Sequence, residues 1–223
     1  MKIMFGLALF GLIAAFVFWW RALLKSRMRF IEHYPYAKFL DKRLATRRPE
    51  LSEAQRLLVF EALCEYFQLC RAARKGMVAM PSQVVDDAWH EFILFTRQYQ
   101  RFCASSFGRF LHHTPAEAMH APTQAPEGIK RAWRLACQCE GIDPKAPHSL
   151  PLLFAIDAKL GIAGGFIYQL DCMAASTGEN PGFCASHIGC GGGCSGSLGD
   201  GGGDASGDGG DGGGCGGGGC GGD

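Results

Sequence analysis

Three cysteines and a histidine lie close together at the start of a glycine-rich tail. The segment CASHIGCGGGC contains Cys184, His187, Cys190 and Cys194, separated by two, two and three residues. Thiolates and imidazoles at such short spacings can bind one tetrahedral zinc ion, and soft thiolates also accept copper(I) or an iron–sulfur cluster. A disulfide cluster and a low-complexity tail that simply admits small cysteines are the two alternatives. The spacing therefore predicts a site for zinc or another soft metal, with both alternatives open.

A second group of potential ligands is spread over the middle of the chain. Asp86 and His90 are four residues apart, which places them side by side on one helix face, and His112 and His113 follow after that helix. A carboxylate beside an imidazole fixes its tautomer and raises its basicity, which suits metal ligation or general-base chemistry. The alternative is an ordinary helical pair and two histidines that merely precede a helix cap. We consider the four residues as a candidate metal site of the helical domain.

The N-terminal segment must be placed before these sites can be interpreted. Ile3 to Trp20 contains no charged residue, and as a helix it is about 27 Å long, close to the hydrocarbon thickness of a bilayer. Trp19 and Trp20 suit the membrane interface. A cleaved signal peptide is the alternative, but bulky residues occupy the position where small ones are needed for cleavage. We therefore predict a transmembrane helix that contacts membrane lipid.

The charges that flank this helix predict its orientation. Lys2 precedes it, whereas Arg21, Lys25, Arg27 and Arg29 follow it. Because positive charge stays on the cytoplasmic side, we expect a single-pass inner-membrane protein with the bulk of the chain in the cytoplasm. Thiols are kept reduced there, which disfavours the disulfide interpretation. The net charge of +1 gives no overall attraction to nucleic acid.

Helical periodicity and capping signals predict an all-α fold after this anchor, a bundle of about five helices. The predicted helices lie between Pro35 and Pro49, from Ser52 to about Lys75, from Ser82 to Gly108, from Pro126 to Glu140 and from Ser149 to Gly161, with a short helical turn opening at Thr114–Pro115. Only GGFIYQLDC alternates weakly like a strand or hairpin.

Composition divides the chain into three parts. The expected boundaries are 1–29 for the anchor and its basic flank, 30–175 for the helical domain, and 176–223 for the Cys/His/Gly-rich tail. The tail has almost no apolar side chains to offset the conformational entropy of its glycines. We therefore expect it to be disordered unless a ligand orders it.

The central segment resembles a known family. VVDDAWHEFILFTRQYQRFC, followed by GRFLHHTP, is similar to the glycine-rich domain-containing protein-like family, whose core carries D-x-x-W-H, then a Tyr and a Phe-Cys pair, then H-H-x-P. Its bacterial members also resemble RAWRLACQCEGIDP, LPLLFAIDAKLGI and the Cys-His-Gly tail, so the resemblance covers roughly residues 30–195. It implies a helical fold and a common role for Asp86, His90, His112 and His113, but no activity.

Three functions are compatible with these features. The first is a membrane-anchored accessory protein that binds a metal or a protein partner through its helical domain and tail, without turnover. The second is a metal-dependent enzyme that uses the Asp/His site and an activated water. The third is a Gly-Cys tail that serves as the substrate of a modifying enzyme. No P-loop, dinucleotide-binding or nucleophile-elbow motif indicates any other reaction.

Overall fold

The computed structural model describes residues 2–113, 124–170, 183–184 and 188, and these residues form seven helices and one pair of short strands. The chain divides into two units, Met1–Gly192 and Gly193–Asp223, and all described residues lie in the first. The helices are α1 (Lys2–Glu32), α2 (Tyr36–Arg47), α3 (Glu53–Ala72), α4 (Gln83–Ile93), α5 (Thr96–Phe107), α6 (Gln124–Glu140) and α7 (Leu152–Leu160). The all-α prediction is confirmed for this part of the chain.

Helix α1 continues without a break from the apolar N-terminal segment into the helical domain. Residues 9–22 are all exposed, whereas Leu23 and Leu24 are half-buried and Ile31 is fully buried. Among the described residues, α1 is the one helix long and apolar enough to cross a membrane. Residues 9–22 of α1 therefore project from the domain, and its last turns pack within it.

Helix α3 begins where the sequence predicts and ends earlier. Ser52 and Gln55 form the predicted reciprocal capping box. The helix stops at Ala72, three residues before the predicted end, because the chain enters a left-handed conformation at Arg74 (φ 56°) and not at Gly76. The glycine was the wrong stop signal, since a non-glycine residue adopts the strained conformation here.

The predicted helix from Ser82 to Gly108 is two helices, so the bundle after α1 has six helices in the described part of the chain. The break lies at Leu94 and Phe95, where Phe95 leaves the helical conformation (φ −81°, ψ 59°). An apolar stripe of helical period runs through this segment and hides the break, because both helices bury residues in the same core with almost unchanged spacing. Of the residues in this stripe, Phe95 is half-buried and Thr96 exposed at the turn, whereas those on both sides are buried: Val85, Ala88, Trp89, Phe92, Tyr99, Phe102 and Cys103.

The remaining elements differ from the predictions in smaller ways. Helix α7 begins at Leu152, with Pro151 and not Ser149 before it, and ends at Gly161 as expected. The weak strand signal corresponds to β1 (Tyr168–Gln169), which pairs in parallel with β2 (Phe183–Cys184), so it is not a hairpin. The helical turn predicted at Thr114–Pro115 and the predicted tail disorder lie outside the described residues.

One carboxyl group on α3, that of Glu65, is half-buried. The Oε1 atom of Glu65 has no hydrogen-bond partner among the described residues. Burial, followed by the nearby charges of Glu140 and Glu61, raises the pKa of Glu65 to about 8. The ordinary pKa of 4.5 applies to the unfolded chain. Between pH 4.5 and about 8 the folded protein therefore holds a proton on Glu65 that the unfolded chain has released.

We therefore expect the stability contributed by neutral Glu65 to be present below pH 4.5 and lost as the pH rises through about 8. At about pH 9, Glu65→Gln should be more stable than the wild type by on the order of 2 kcal/mol, and near pH 4.5 the two should be alike. Denaturant unfolding of the full chain in detergent measures this difference. Glu61→Gln, an exposed position one turn earlier on α3, is the matched control, and an equal effect there would contradict the assignment to Glu65.

Candidate metal centre

Asp86 lies in the first turn of α4, and a carboxylate from α7 holds this turn in place. Asp157 is buried, and its side chain accepts hydrogen bonds from the amides of Gln83 (2.7 Å) and Val84 (3.2 Å) and from the hydroxyl of Ser82 (2.7 Å). The hydroxyl of Ser82 in turn accepts from the amide of Val85. The first three amides of α4 thus all have acceptors, which anchors its first turn rigidly.

The chain after α5 folds back to bring His113 onto α4. Gly108 ends α5 in the left-handed conformation (φ 70°), which turns the chain. The hydroxyl of Tyr99 donates to the carbonyl of Leu111 (2.6 Å) and accepts from the indole N–H of Trp89 (3.0 Å). Burial raises the pKa of Tyr99 well above its ordinary range, so the phenol keeps the proton that it donates.

Asp86, His90 and His113 form one cluster. The Oδ1 atom of Asp86 lies 2.9 Å from Nε2 of His113, and its Oδ2 atom lies 3.2 Å from Nδ1 of His90. The two imidazole rings are 4.3 Å apart between centroids. The side chains of Asp86 and His113 are 20% and 15% exposed, whereas that of His90 is 42% exposed. The cluster therefore has two half-buried members and one that opens towards solvent.

The geometry of this cluster fits a divalent metal ion. One potential ligand atom from each residue lies within 4.8 Å of the others. Zinc bonds of about 2.0–2.1 Å place neighbouring ligand atoms about 3 Å apart, close to the 2.9 Å between Oδ1 of Asp86 and Nε2 of His113. Nδ1 of His90 also lies 2.9 Å from the carbonyl oxygen of Asp86. An Nδ1–H that donates to this carbonyl leaves Nε2 of His90 free as a ligand.

His112 lies outside this cluster, although the sequence grouped it with the other three. Its side chain is exposed, and its ring lies 4.8 Å from that of Phe110. The next residue, His113, packs at 4.5 Å against the ring of Trp89. Burial alternates along this segment, with Phe110 and His112 exposed, Leu111 buried and His113 half-buried, so His113 and not His112 reaches α4.

The predicted tail site stays a prediction. Its four residues Cys184, His187, Cys190 and Cys194 have side chains outside the described residues. Within the described part, the cysteines are free thiols. Burial raises the pKa of Cys70 to about 12 and that of Cys137 to about 11, so these thiols stay protonated and are poor metal ligands.

Ion pairs join two buried carboxylates of α4 to arginines, and the sequence patterns did not predict them. Asp87 and Glu91 are buried on α4, where each follows directly after a member of the candidate cluster. They pair with arginines of α2 and its C-cap: Arg43 with Glu91, Arg47 with Asp87 at 2.8 Å, and Arg48 with Asp87 at 2.7 Å. Asp87 and Glu91 are four residues apart, and so are Arg43 and Arg47. This equal spacing on two helices is the sequence signal that could have predicted the ion pairs.

Comparison with known proteins identifies the family and no close relative. No curated protein and no solved structure shows significant similarity to the chain. The sequence profile of the UCP032817-like family matches residues 26–188, which is more than half of the 223 residues and includes Asp86, His90 and His113. This match does not bear on the resemblance to the glycine-rich domain-containing protein-like family, which stays a prediction. The chain belongs to the UCP032817-like family.

Proposed function

We propose that this chain is a membrane-anchored accessory protein whose helical domain binds a divalent metal ion through Asp86, His90 and His113. The observation that carries the proposal is the convergence of these three side chains, one of which is 27 positions away in the sequence from the first. A carboxylate with two imidazoles is a donor set that zinc accepts, and three protein ligands leave a position for water.

The surroundings of the cluster support a binding site that exists before the metal arrives. Asp86 lies on a helix whose first turn is anchored by Asp157, and the segment that carries His113 is held by the hydrogen bond from the hydroxyl of Tyr99 to the carbonyl of Leu111. The ring of Trp89 closes one side of His113. Because these contacts belong to the core, little ordering is needed on binding, and the loss of entropy that opposes binding is small.

The continuous helix α1 supports the anchor. Its exposed apolar part, residues 9–22, joins a part that packs within the domain, where Arg27 donates to the carbonyl of Phe107. A helix that serves both as an apolar span and as part of the folded domain suits an uncleaved anchor better than a removable signal peptide. We infer a single-pass inner-membrane location, with the domain in the cytoplasm as the flanking charges predict.

We expect the full chain, purified in detergent under reducing conditions, to bind zinc in competition with a chromophoric chelator. Asp86→Asn and His90→Ala should each lower the affinity of the helical-domain site by about 100-fold, because each removes a ligand and loss of a supporting contact alone costs about 10–100-fold. His112→Ala is the matched control and should leave the affinity unchanged, since this side chain lies outside the cluster.

Cobalt(II) distinguishes this site from the predicted tail site. Thiolate ligands give cobalt an intense charge-transfer absorption, whereas a carboxylate–imidazole site does not. Metal bound by the helical domain should therefore persist in a Cys184→Ser/Cys190→Ser variant and lack the thiolate absorption. Zinc binding that survives Asp86→Asn but disappears in the double cysteine variant would contradict the proposed site and assign the metal to the tail.

The second candidate is a metal-dependent enzyme with the same three ligands. The 42% exposure of His90 favours it, because a ligand that faces solvent leaves room for a water molecule and a substrate. Metal-dependent hydrolysis of an ester that disappears with Asp86→Asn and persists with His112→Ala would replace the accessory role by this one. Modification of the Gly-Cys tail by another enzyme stays a prediction of the sequence.

A further inference from the structure

A cleft of about 470 Å³ lies between α2 and α4. It is lined by Lys42, Arg43, Thr46 and Arg47 of α2 and by Glu91 of α4. The four residues of α2 recur at one- and four-residue spacings, so they share one face of that helix. The volume falls within the range of about 300–1,000 Å³ that small-molecule sites occupy. Because every lining side chain is polar or charged, the cleft suits a small hydrophilic ligand.

Two buried carboxylates hold the arginines of this cleft in place. Glu91 and Asp87 are 7% and 2% exposed. Nε of Arg43 donates to Glu91, and Nη2 of Arg47 lies 2.8 Å from Asp87. A buried carboxylate that loses its counter-charge is strongly destabilising, so each guanidinium stays beside its partner. The two arginines are therefore ordered before any ligand arrives, which reduces the loss of entropy on binding.

The fold leaves charged donors in the cleft unused. A guanidinium has five N–H donors, and within the described part of the chain Arg43 uses only its Nε–H. The ammonium group of Lys42 forms no hydrogen bond or ion pair with any described residue. The hydroxyl of Thr46 donates to the carbonyl of Lys42 (2.9 Å), so its oxygen is left as an acceptor. The cleft thus offers charged donors to an anion and an acceptor to a hydroxyl group.

Positive charge exceeds negative charge in the cleft. The three basic side chains of α2 face a single lining carboxylate, that of Glu91, which leaves an excess of two positive charges. The other buried carboxylate, Asp87, is also paired with Arg48, which lies 2.7 Å away and does not line the cleft. A phosphate monoester carries about −1.5 to −2 charges at pH 7, which matches this excess. Guanidinium groups also match the geometry of phosphate oxygens.

The cleft lies on the side of the domain away from the apolar segment of α1. On α3, Gln68 donates to the carbonyl of Met28 and Cys64 to that of Ile31, so residue numbers fall along α3 as they rise along α1. Arg56 lies about 12 Å beyond Cys64 along α3. It is paired with the carboxylate that directly precedes the basic residues of the cleft. This position favours a dissolved ligand over a lipid headgroup.

We propose that the cleft between α2 and α4 binds a small phosphate monoester with a hydrophilic body, such as a sugar phosphate. Lys42 and the two arginines bind the phosphate oxygens, and the oxygen of Thr46 accepts from a hydroxyl of the body. The binding requires neither the membrane anchor nor a metal ion. The cleft and the candidate metal centre share α4, because Asp87 and Glu91 each follow directly after a member of the metal cluster.

Isothermal titration calorimetry of the full chain in a neutral detergent tests this proposal, with glucose 6-phosphate as the probe. The ionic strength is held at about 0.15 M with chloride, so that general screening is constant. We expect saturable binding of one molecule per chain. Glucose 6-sulfate carries one negative charge and not about two, so it should bind about tenfold more weakly, and glucose should not bind.

Three variants assign the binding to the cleft. Lys42→Ala removes a charged donor that the fold does not use, so it should weaken binding by about tenfold or more without unfolding the protein. Arg43→Lys keeps a positive charge beside Glu91 but loses the planar donor fork, and should also weaken binding by about tenfold. Lys145→Ala removes an exposed lysine that does not line the cleft and should change nothing. Circular dichroism checks that each variant is folded.

Several results would overturn the proposal. No saturable binding at about 10 mM glucose 6-phosphate, or equal affinity of the wild type and Lys42→Ala, would show that the ion pairs only join α2 to α4. In nanodiscs, replacing phosphatidylglycerol by phosphatidic acid, whose headgroup is a phosphate monoester, should leave the affinity for glucose 6-phosphate unchanged. A tenfold loss there would assign the cleft to a lipid headgroup and overturn the dissolved ligand.

Discussion

Replacing Trp89 by alanine should lower the free energy of unfolding by about 3–5 kcal/mol. The side chain is 3% exposed and packs against the rings of Tyr66 at 5.1 Å and Phe67 at 6.1 Å. Alanine would leave a cavity in the aromatic core and would also remove the indole donor from Tyr99. Denaturant unfolding of the full chain in detergent, followed by far-ultraviolet circular dichroism, measures the loss.

Two further variants divide this effect into its causes. Trp89→Phe keeps much of the packing but loses the bond to Tyr99, so we expect a smaller loss of about 1–2 kcal/mol. Leu94→Ala changes a side chain that is 61% exposed just after α4 and should alter stability by less than about 0.5 kcal/mol. A loss from Trp89→Ala as small as that from Leu94→Ala would contradict a central role of this ring in the core.

Features set by short-range chemistry were predictable from the sequence. The capping box of Ser52 and Gln55, the cap at Ser82 and the terminal glycines Gly141 and Gly161 depend on groups within a few residues of one another. The apolar stripe predicted the buried face of α4 and α5 for the same reason. Hydrophobic periodicity therefore gave the fold class and most of the core.

The turn at Leu94 and Phe95 was not predictable from that periodicity. No glycine or proline interrupts the sequence there, and the phase of the stripe scarcely changes. The contacts that hold the turn are tertiary, since the ring of Phe95 packs against Phe39 and lies beneath the guanidinium of Arg43. A local signal cannot report contacts with a helix more than fifty residues away.

The sequence predicted that aspartate and histidine form the candidate site, but it did not predict which of the two adjacent histidines joins Asp86 and His90. Asp86 and His90 are adjacent by helical geometry alone. The choice between His112 and His113 depends on the register of the chain after Gly108, which the bond from Tyr99 to the carbonyl of Leu111 fixes. The role of Asp157 was not predictable for a similar reason, because Asp157 is more than seventy residues away in the sequence from the amides that its carboxylate caps.

Removing the Asp157 carboxylate should have a comparably large effect on stability and should also reach the metal site. Asp157→Ala leaves the amides of Gln83 and Val84 and the hydroxyl of Ser82 without this acceptor. Unsatisfied buried donors cost about 1–3 kcal/mol each, and the favourable charge at the helix N-terminus is lost as well, so we expect a loss of about 3–5 kcal/mol. Asp157→Asn keeps one acceptor oxygen and should lose less.

The same substitution should lower zinc affinity by about tenfold, because Asp86 follows directly after the anchored amides and its carboxylate must hold its position relative to His113. Asp143→Ala is the matched control, since that exposed aspartate caps the amide of Lys145 and touches neither α4 nor the cluster. Unfolding and zinc competition on the same samples separate the two effects. Lost stability with unchanged zinc affinity would show that the first turn of α4 does not position Asp86, and the preorganisation of the site would then have to come from Trp89 and the segment that carries His113.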